Sequence, residues 1–363
     1  MHSEITGLFA SITVIDVSSV LAGPQAGSFF AELGAKVIKV EHKSAGGDPT
    51  NQWRLPSESN DNPVSAYYAA ANTGKELLLL DLDKKKDYEH FLSLVATADV
   101  VISNYQKRVA EHLRVTYRDL QKVNDGIVFA QLSAYEYDDP RPGYDLIMQA
   151  ETGWISMTGS DSNHVAKLPV ALIDVIASHQ IREAVLIGLL RKLKTGKGSE
   201  VHVSLYKSAI SALANQATNY LMSDHVPQPI GTLHPNIAPY GDIFTTRDSK
   251  SLIFVIGSDA QFVKLGKTLN LAVGDCVTFQ YNRDRVAKRK MLQTLIQQKV
   301  ELHDLNDIEQ SLSSASVPYC TLKNLDQVFT SDLSRQMIKS ENIQGQTTKK
   351  VSNISFSFLS VES

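Results

Sequence analysis

The sequence predicts an α/β protein, with a doubly wound large domain and a smaller α/β domain attached. Three observations carry this. Short apolar runs of strand length recur at Ile12–Val17, Lys36–Val40, Glu76–Leu82, Asp99–Ser103 and Gly126–Leu132, separated by longer segments of helical period. The first two runs flank one helix, which implies parallel strands joined by a right-handed crossover. The character of the chain then changes near Ser223, where a proline-punctuated stretch opens a second, shorter set of elements.

Taken in order, Leu21-Ala22-Gly23-Pro24 is a turn, with Pro24 placed for the first turn of a helix that runs through Phe29, Phe30 and Leu33 to Gly34. Residues 43–65 are polar and rich in Ser, Asn, Asp, Gly and Pro, and read as a surface loop. Glu76–Leu82 reads as a buried strand, and Lys84-Lys85-Lys86 opens a solvated helix through Ala96. Glu200–Ser204 is a strand and Tyr206–Leu221 a helix. Beyond the proline-rich loop His234–Tyr240, the sequence predicts a strand at Ser251–Ile256, a helix at Gln261–Leu269, a basic amphipathic helix at Arg283–Lys299 and a last short helix at Leu325–Phe329. The expected division is 1–222 for the large domain, 223–321 for the small one, and 322–363 as a segment returning to the first.

Composition narrows the function classes. The 363 residues are 43% hydrophobic and 21% charged, with a net charge of −3, which gives no basic surface for nucleic acid. No apolar run is long enough to span a membrane, and the start MHSEITGLF lacks the layout of a signal peptide. Two cysteines far apart, Cys276 and Cys320, suggest a reducing compartment, and the expected location is the cytosol. No metal site is expected, because histidines are scattered with no HExxH and no close cluster with Cys or Asp. Dinucleotide, Walker A and GxSxG signatures are absent too.

One stretch stands out, LPVALIDVIASHQIREAVLIGLLRKLKTGKG from Leu168 to Gly198. It begins extended and apolar. It continues as a long helix with Ile181, Val185, Leu186, Leu189, Leu190 and Leu193 at helical spacing, closed by Gly196 behind a basic last turn. Asp174 is the single acid between Leu168 and Ser178. It either caps the helix or is kept for chemistry, and the two roles are compatible, since helix N–H groups also steady a carboxylate nucleophile.

Several stretches together resemble the class III coenzyme A transferases. These are VIDVSSVLAGPQAGSFFAELGAKVIKVE (Val14–Glu41), NTGKELLLLDL (Asn72–Leu82), ADVVISNY (Ala98–Tyr105), RPGYDLIMQAETG (Arg141–Gly153), LPVALIDVIAS, KTGKGSEVHVSLYKSAI (Lys194–Ile210), HPNIAPYG (His234–Gly241) and SVPYCTLKNLDQV (Ser316–Val328). They follow the family's order through nearly the whole chain. The resemblance implies a Rossmann-like large domain, an interlocked homodimer, no tightly bound cofactor, and acyl-CoA and a free carboxylic acid as substrates. Asp174 falls where the family's nucleophilic aspartate stands. That implies attack on the thioester, a mixed anhydride, then an aspartyl-CoA thioester that passes CoA to the acceptor acid. CoA contacts are implied at Leu21, Ala22, His42, Leu80, Asp81, Leu82, Asn104, Tyr105, His112, Gly143, Tyr144 and Asp145. Relatives often carry arginine where His42 and His112 stand, and a neutral imidazole anchors phosphate less firmly. Lys43, Lys107 and Arg114 are candidates to substitute. Two alternative readings are a catalytically silent CoA-binding protein and an α-methylacyl-CoA racemase. The racemases carry histidine before the Gly-x-Asp aspartate, where this chain has Tyr144.

Overall fold

The computed structural model describes residues 7–357. Two compact units emerge. The larger comprises the chain through Ile155, Lys167–Val226 and the residues from Leu333 on; the smaller comprises Ser156–Ala166 and Pro227–Asp332.

The large unit is built on six strands: β1 Thr13–Asp16, β2 Lys36–His42, β3 Glu76–Leu80, β4 Val100–Ser103, β5 Val128–Ser133 and β6 Ser199–Ser204. They pair in parallel, in the order β3-β2-β1-β4-β5-β6. Strand order therefore reverses between β1 and β4. The apolar runs are nearly continuous because both faces are covered. Val14, Val100, Ile102, Val128 and Ala130 pack with Phe29 and Phe30 of α1 (Ala22–Glu32) and with Ile173, Ala177, Ile181 and Val185 of the long helix Leu172–Thr195. The alternate residues Ile15, Val17, Ile38, Val101 and Phe129 pack with Tyr88, Phe91 and Val95 of Lys85–Val95. The other helices used below are α2 Ala66–Asn72, α3 Lys85–Val95, α4 Lys107–Leu113, α5 Asp145–Glu151 and α6 Leu172–Thr195.

In the small unit β7 (Tyr240–Thr245), β8 (Ser251–Val255) and β9 (Tyr319–Thr321) form an antiparallel sheet in the order β9-β8-β7. Among the described residues no helix is long and apolar enough to cross a membrane.

Several expectations need correction. Residues 156–166 were expected in the large domain. They form a two-strand hairpin whose Gly159 carbonyl accepts the Gly231 N–H at 2.7 Å, while Ser162 donates to Gln228, so they cluster with the small unit. The small unit also begins at Pro227 and runs to Asp332, rather than spanning 223–321. β3 is an edge strand, not a buried one. Leu77 and Leu79 are 36% and 48% exposed on the face that the described residues leave open, while Leu80 and Leu82 turn into the core. The loop 43–65 is not wholly at the surface, since Asp48 and Thr50 are buried. The helix expected at Tyr206–Leu221 is two, Leu205–Ser211 and Ala214–Ser223, broken where Ala214 takes a positive φ. The basic helix Arg283–Lys299 is also two, Asn282–Ala287 and Arg289–Val300, meeting at Lys288. Arg285 points inward there, fully buried, donating to the Ala238 and Phe279 carbonyls and to Asp259.

A hairpin that the sequence reading did not anticipate follows, β10 (Ile338–Ile343) and β11 (Gln346–Val351). Its turn, Gln344-Gly345, has positive φ at both residues, as a type I′ turn requires. Polar contacts bind it to the large unit. Lys350 Nζ lies 2.7 Å from Glu32, Glu341 accepts the Gly74 N–H at 2.6 Å, and Gln346 accepts the Val64 N–H at 3.1 Å.

Candidate active site

The reversal of strand order opens a crevice beyond the carboxyl ends of β1 and β4, the usual place for a ligand in such a sheet. Asn104, just past β4, fixes the loop that leaves β1. Its Oδ1 accepts the Ser19 N–H at 3.0 Å and its Nδ2 donates to the Ser19 carbonyl at 2.9 Å. The next residue, Val20, has φ of +75°, a strained conformation for a β-branched side chain. Its N–H is held by Asp48 at 3.2 Å.

Beneath this loop lies a buried charged network. Lys39 donates to the Ser18 carbonyl and to Asp48 (3.2 Å), and lies 3.9 Å from Asp16. Lys75 reaches Asp16 at 2.8 Å, the Pro24 carbonyl at 2.7 Å and Asn72 at 2.9 Å. Burial draws the Lys75 ammonium down to about 8, against the pull of Asp16. Burial alone would push Asp16 up, but Lys39 and Lys75 hold it below the usual carboxylate range. Their signal in the sequence is a charge inside an apolar strand, Asp16 in VIDV and Lys39 in VIKV.

Around the crevice a cavity of about 220 Å³ is lined by Ser19, Val20, Asn104, Tyr105, Arg141, Gly143 and Tyr144, among others. A neighbouring one of about 130 Å³ shares Ser19 and Tyr105 and adds Lys39, His42 and Asp48. The structure thus gathers Asn104, Tyr105, Gly143 and Tyr144, with His42 alongside. Burial, followed by the nearby charge of Asp16, pushes the Tyr105 phenol up to about 12. Gly143 is required by close approach, since a Cβ there would meet Ala134 Cβ at 2.2 Å. Leu21 stands at the cap position of α1. The side chains of Ala22, Leu80 and Leu82 belong to the core, so only their backbone is available to a ligand.

His42 and His112 do not stand as free cationic anchors. His42 Nε2 lies 3.8 Å from Asp81 and 4.0 Å from Asp83, and His112 Nε2 lies 2.9 Å from Asp83. The ligating atoms of His42, Asp81 and Asp83 lie within 4.8 Å of one another, a spacing that can hold a cation, although no close His/Asp cluster was expected from the sequence. The ends of β2 and β3 bring them together. His42 Nδ1 accepts the Ala45 N–H at 3.2 Å, so in the neutral ring the proton sits on Nε2 and points at the carboxylates. A ring nitrogen that carries its proton toward the carboxylates favours an electrostatic cluster over a metal centre.

Asp174 is the third residue of α6, not its cap. Ala171 occupies the cap position and offers no side-chain acceptor. Asp174 as a residue is 8% exposed, and among the described residues nothing donates a hydrogen bond to its carboxyl. Burial, with the charge of Asp145 added, pushes it up to about 7. Tyr67 of α2 lies in the same field. Its phenol is raised by burial, then by Asp174, Asp145 and Asp48. Trp53 packs edge-on against Tyr67, with ring centroids 5.2 Å apart. An acid that burial lifts toward neutrality, with the Tyr67 phenol in its field, suits attack on a thioester carbonyl. Neither Tyr67 nor Trp53 was singled out from sequence, where they are two aromatics in a polar loop and an alanine-rich helix.

The model of CoA-transferase family III matches residues 9–360. This chain belongs to that family. The class III transferases similar to it include the succinate–glutarate CoA-transferase of Agrobacterium fabrum, 32% identical over 88% of this chain and 81% of that protein. Human succinyl-CoA:glutarate CoA-transferase is 29% identical over 88% of this chain and 72% of its own length. Among solved structures, a CaiB/BaiF family protein from Brucella suis superposes with a TM-score of 0.80 at 30% identity, over 95% of this chain and 92% of that one. In this class III chain the carboxylates of Asp81 and Asp83 stand beside His42 and His112.

Proposed function

We propose that the protein moves coenzyme A from an acyl-CoA thioester to a free carboxylic acid, with Asp174 as the covalent nucleophile. The observation that carries this is Asp174 itself, buried in the first turn of α6, with no hydrogen-bond donor among the described residues and its carboxyl pushed up to about 7 by burial. An undersolvated carboxylate is a stronger nucleophile than one in water. It adds to the thioester carbonyl and expels CoA thiolate, leaving an acyl–aspartyl anhydride. The thiolate then attacks the aspartyl carbonyl and releases the donor acid. The acceptor carboxylate repeats these two steps in reverse and leaves with CoA. The relatives named for succinate and glutarate support short dicarboxylates as the substrate class.

The strand order supports reading the large unit as a Rossmann-like CoA-binding domain, with the phosphates near the ends of β1 and β2 and the loop before α5. Exposed apolar side chains on Leu172–Ser223 support a homodimer. Ile187, Leu190 and Leu193 are 67%, 52% and 85% exposed, and Leu221 and Met222 are more than three quarters exposed. Two free cysteines support a cytosolic setting.

The test is intact-mass spectrometry after incubation with succinyl-CoA, glutaryl-CoA and acetyl-CoA. The expected result is an adduct that maps to Asp174 and vanishes in Asp174→Asn. A chain that binds CoA but never forms an adduct is the silent protein instead, and one that washes solvent deuterium into the α-carbon is the racemase.

A further inference from the structure

The helix that carries Asp174 starts without a cap of its own, and its missing acceptor comes from 28 residues upstream. Asp145 Oδ1 accepts the Ile173 N–H at 2.7 Å, one residue before Asp174. The other oxygen, Oδ2, accepts Gln149 Nε2 at 2.6 Å. Gln149 is buried, and its Oε1 in turn accepts the Leu168 N–H at 2.9 Å. Donor and acceptor of the carboxamide are both engaged, and both oxygens of the carboxylate are taken. The pair therefore grips the Leu168–Asp174 segment at its two ends, from one face of α5.

We propose that Gln149 and Asp145 are positioning residues for Asp174, with Asp145 acting through the start of α6 rather than as a ligand of CoA. The proposal rests on the reading of Asp174 as nucleophile. A carboxylate at a helix start satisfies an orphan N–H and complements the helix dipole, so the first turn is held in one place. A nucleophile held to a fraction of an ångström reacts faster than one that wanders. Asp145 also sets the charge that Asp174 feels. The titratable groups acting there are Asp145 on α5 and the Tyr67 phenol on α2. His179 and Arg182 lie further along α6 itself, and Glu32 of α1 is tied to Lys350.

The experiment uses the full chain as wild type, Gln149→Ala and Asp145→Asn. Three quantities are read: the rate of adduct formation from succinyl-CoA by rapid-quench mass spectrometry across pH, the CoA dissociation constant, and hydrogen exchange at the Leu168 and Ile173 amides. Gln149→Ala is expected to slow adduct formation about tenfold or more and to expose the Leu168 amide, with CoA affinity unchanged to within about twofold. Asp145→Asn keeps an acceptor for Ile173 but removes the charge, so the pH midpoint of adduct formation moves down. Weaker CoA binding in Asp145→Asn, with rate and midpoint unchanged, would make Asp145 a CoA ligand and overturn the proposal. Unchanged rate and exchange in Gln149→Ala would overturn it as well. If the wild type forms no adduct on Asp174, the nucleophile reading fails. Exchange then still decides the clamp, which stands if Leu168 loses protection in Gln149→Ala and falls if it does not.

Discussion

Lys75 Nζ sits 2.8 Å from Asp16 Oδ2, and both side chains are shut off from solvent. Lys39 shares the same carboxylate at 3.9 Å and spends its shorter contact, 3.2 Å, on Asp48. These groups lie directly under the loop that leaves β1, so the crevice rests on charges that can only be stable together.

Removing one member leaves another buried without compensation. Lys75→Met is therefore expected to destabilise the protein by about 3–5 kcal/mol, read as a shift in the urea midpoint with little change in slope. A loss below about 1 kcal/mol would mean that water reaches Asp16.

Asp174 links activity and stability to pH in opposite senses. The nucleophile must be ionised, so single-turnover adduct formation should rise with a midpoint near 7. Its folded pKa lies above the unfolded value of 3.8, so between those limits the folded state binds more protons. Its contribution to stability is complete below the unfolded value and is lost as pH rises through about 7. Asp174→Asn, which cannot ionise, should melt higher than wild type at pH ~8 by an amount on the order of a few kcal/mol, with no gain near pH ~4. Equal melting shifts at both pH values would refute the buried-charge explanation.

If the CoA phosphates sit near His42 and His112 as proposed, the carboxylates beside those histidines oppose them. Asp83→Asn should tighten CoA binding at ~20 mM salt, and the gain should fade by ~500 mM as screening takes over. Calorimetry at the two ionic strengths decides it. Weaker binding in Asp83→Asn would mean that the charge orients His112 for the ligand.

Gly143→Ala puts a methyl 2.2 Å from Ala134 Cβ and 2.9 Å from Met148 Cε, so the loop before α5 must shift. The expected outcome is a cost of about 1–3 kcal/mol in stability together with weaker CoA binding. The double variant Ala134→Gly with Gly143→Ala should recover part of both, and a lack of any recovery would place the clash elsewhere.

The five strands of the large sheet between Ile12 and Leu132, their parallel pairing and the isolated acid at Asp174 could all be read from the sequence, because periodicity and composition are properties of neighbouring residues. The hairpin Ile338–Val351 escaped, since its strands are polar on both faces and owe their place to Lys350, Glu341 and Gln346 finding partners hundreds of residues away. The site divides in the same way. Sequence identified Asp174 as a lone acid near the start of a helix, and it named Asn104, Tyr105, Gly143 and Tyr144. Only the folded chain decided what surrounds them. Asp145 reaches across 28 residues to cap α6, Lys75 across 59 to Asp16, and Asn104 across 85 to Ser19. Such contacts satisfy groups that burial has cut off from water, and which groups meet depends on where the strands and helices are stacked.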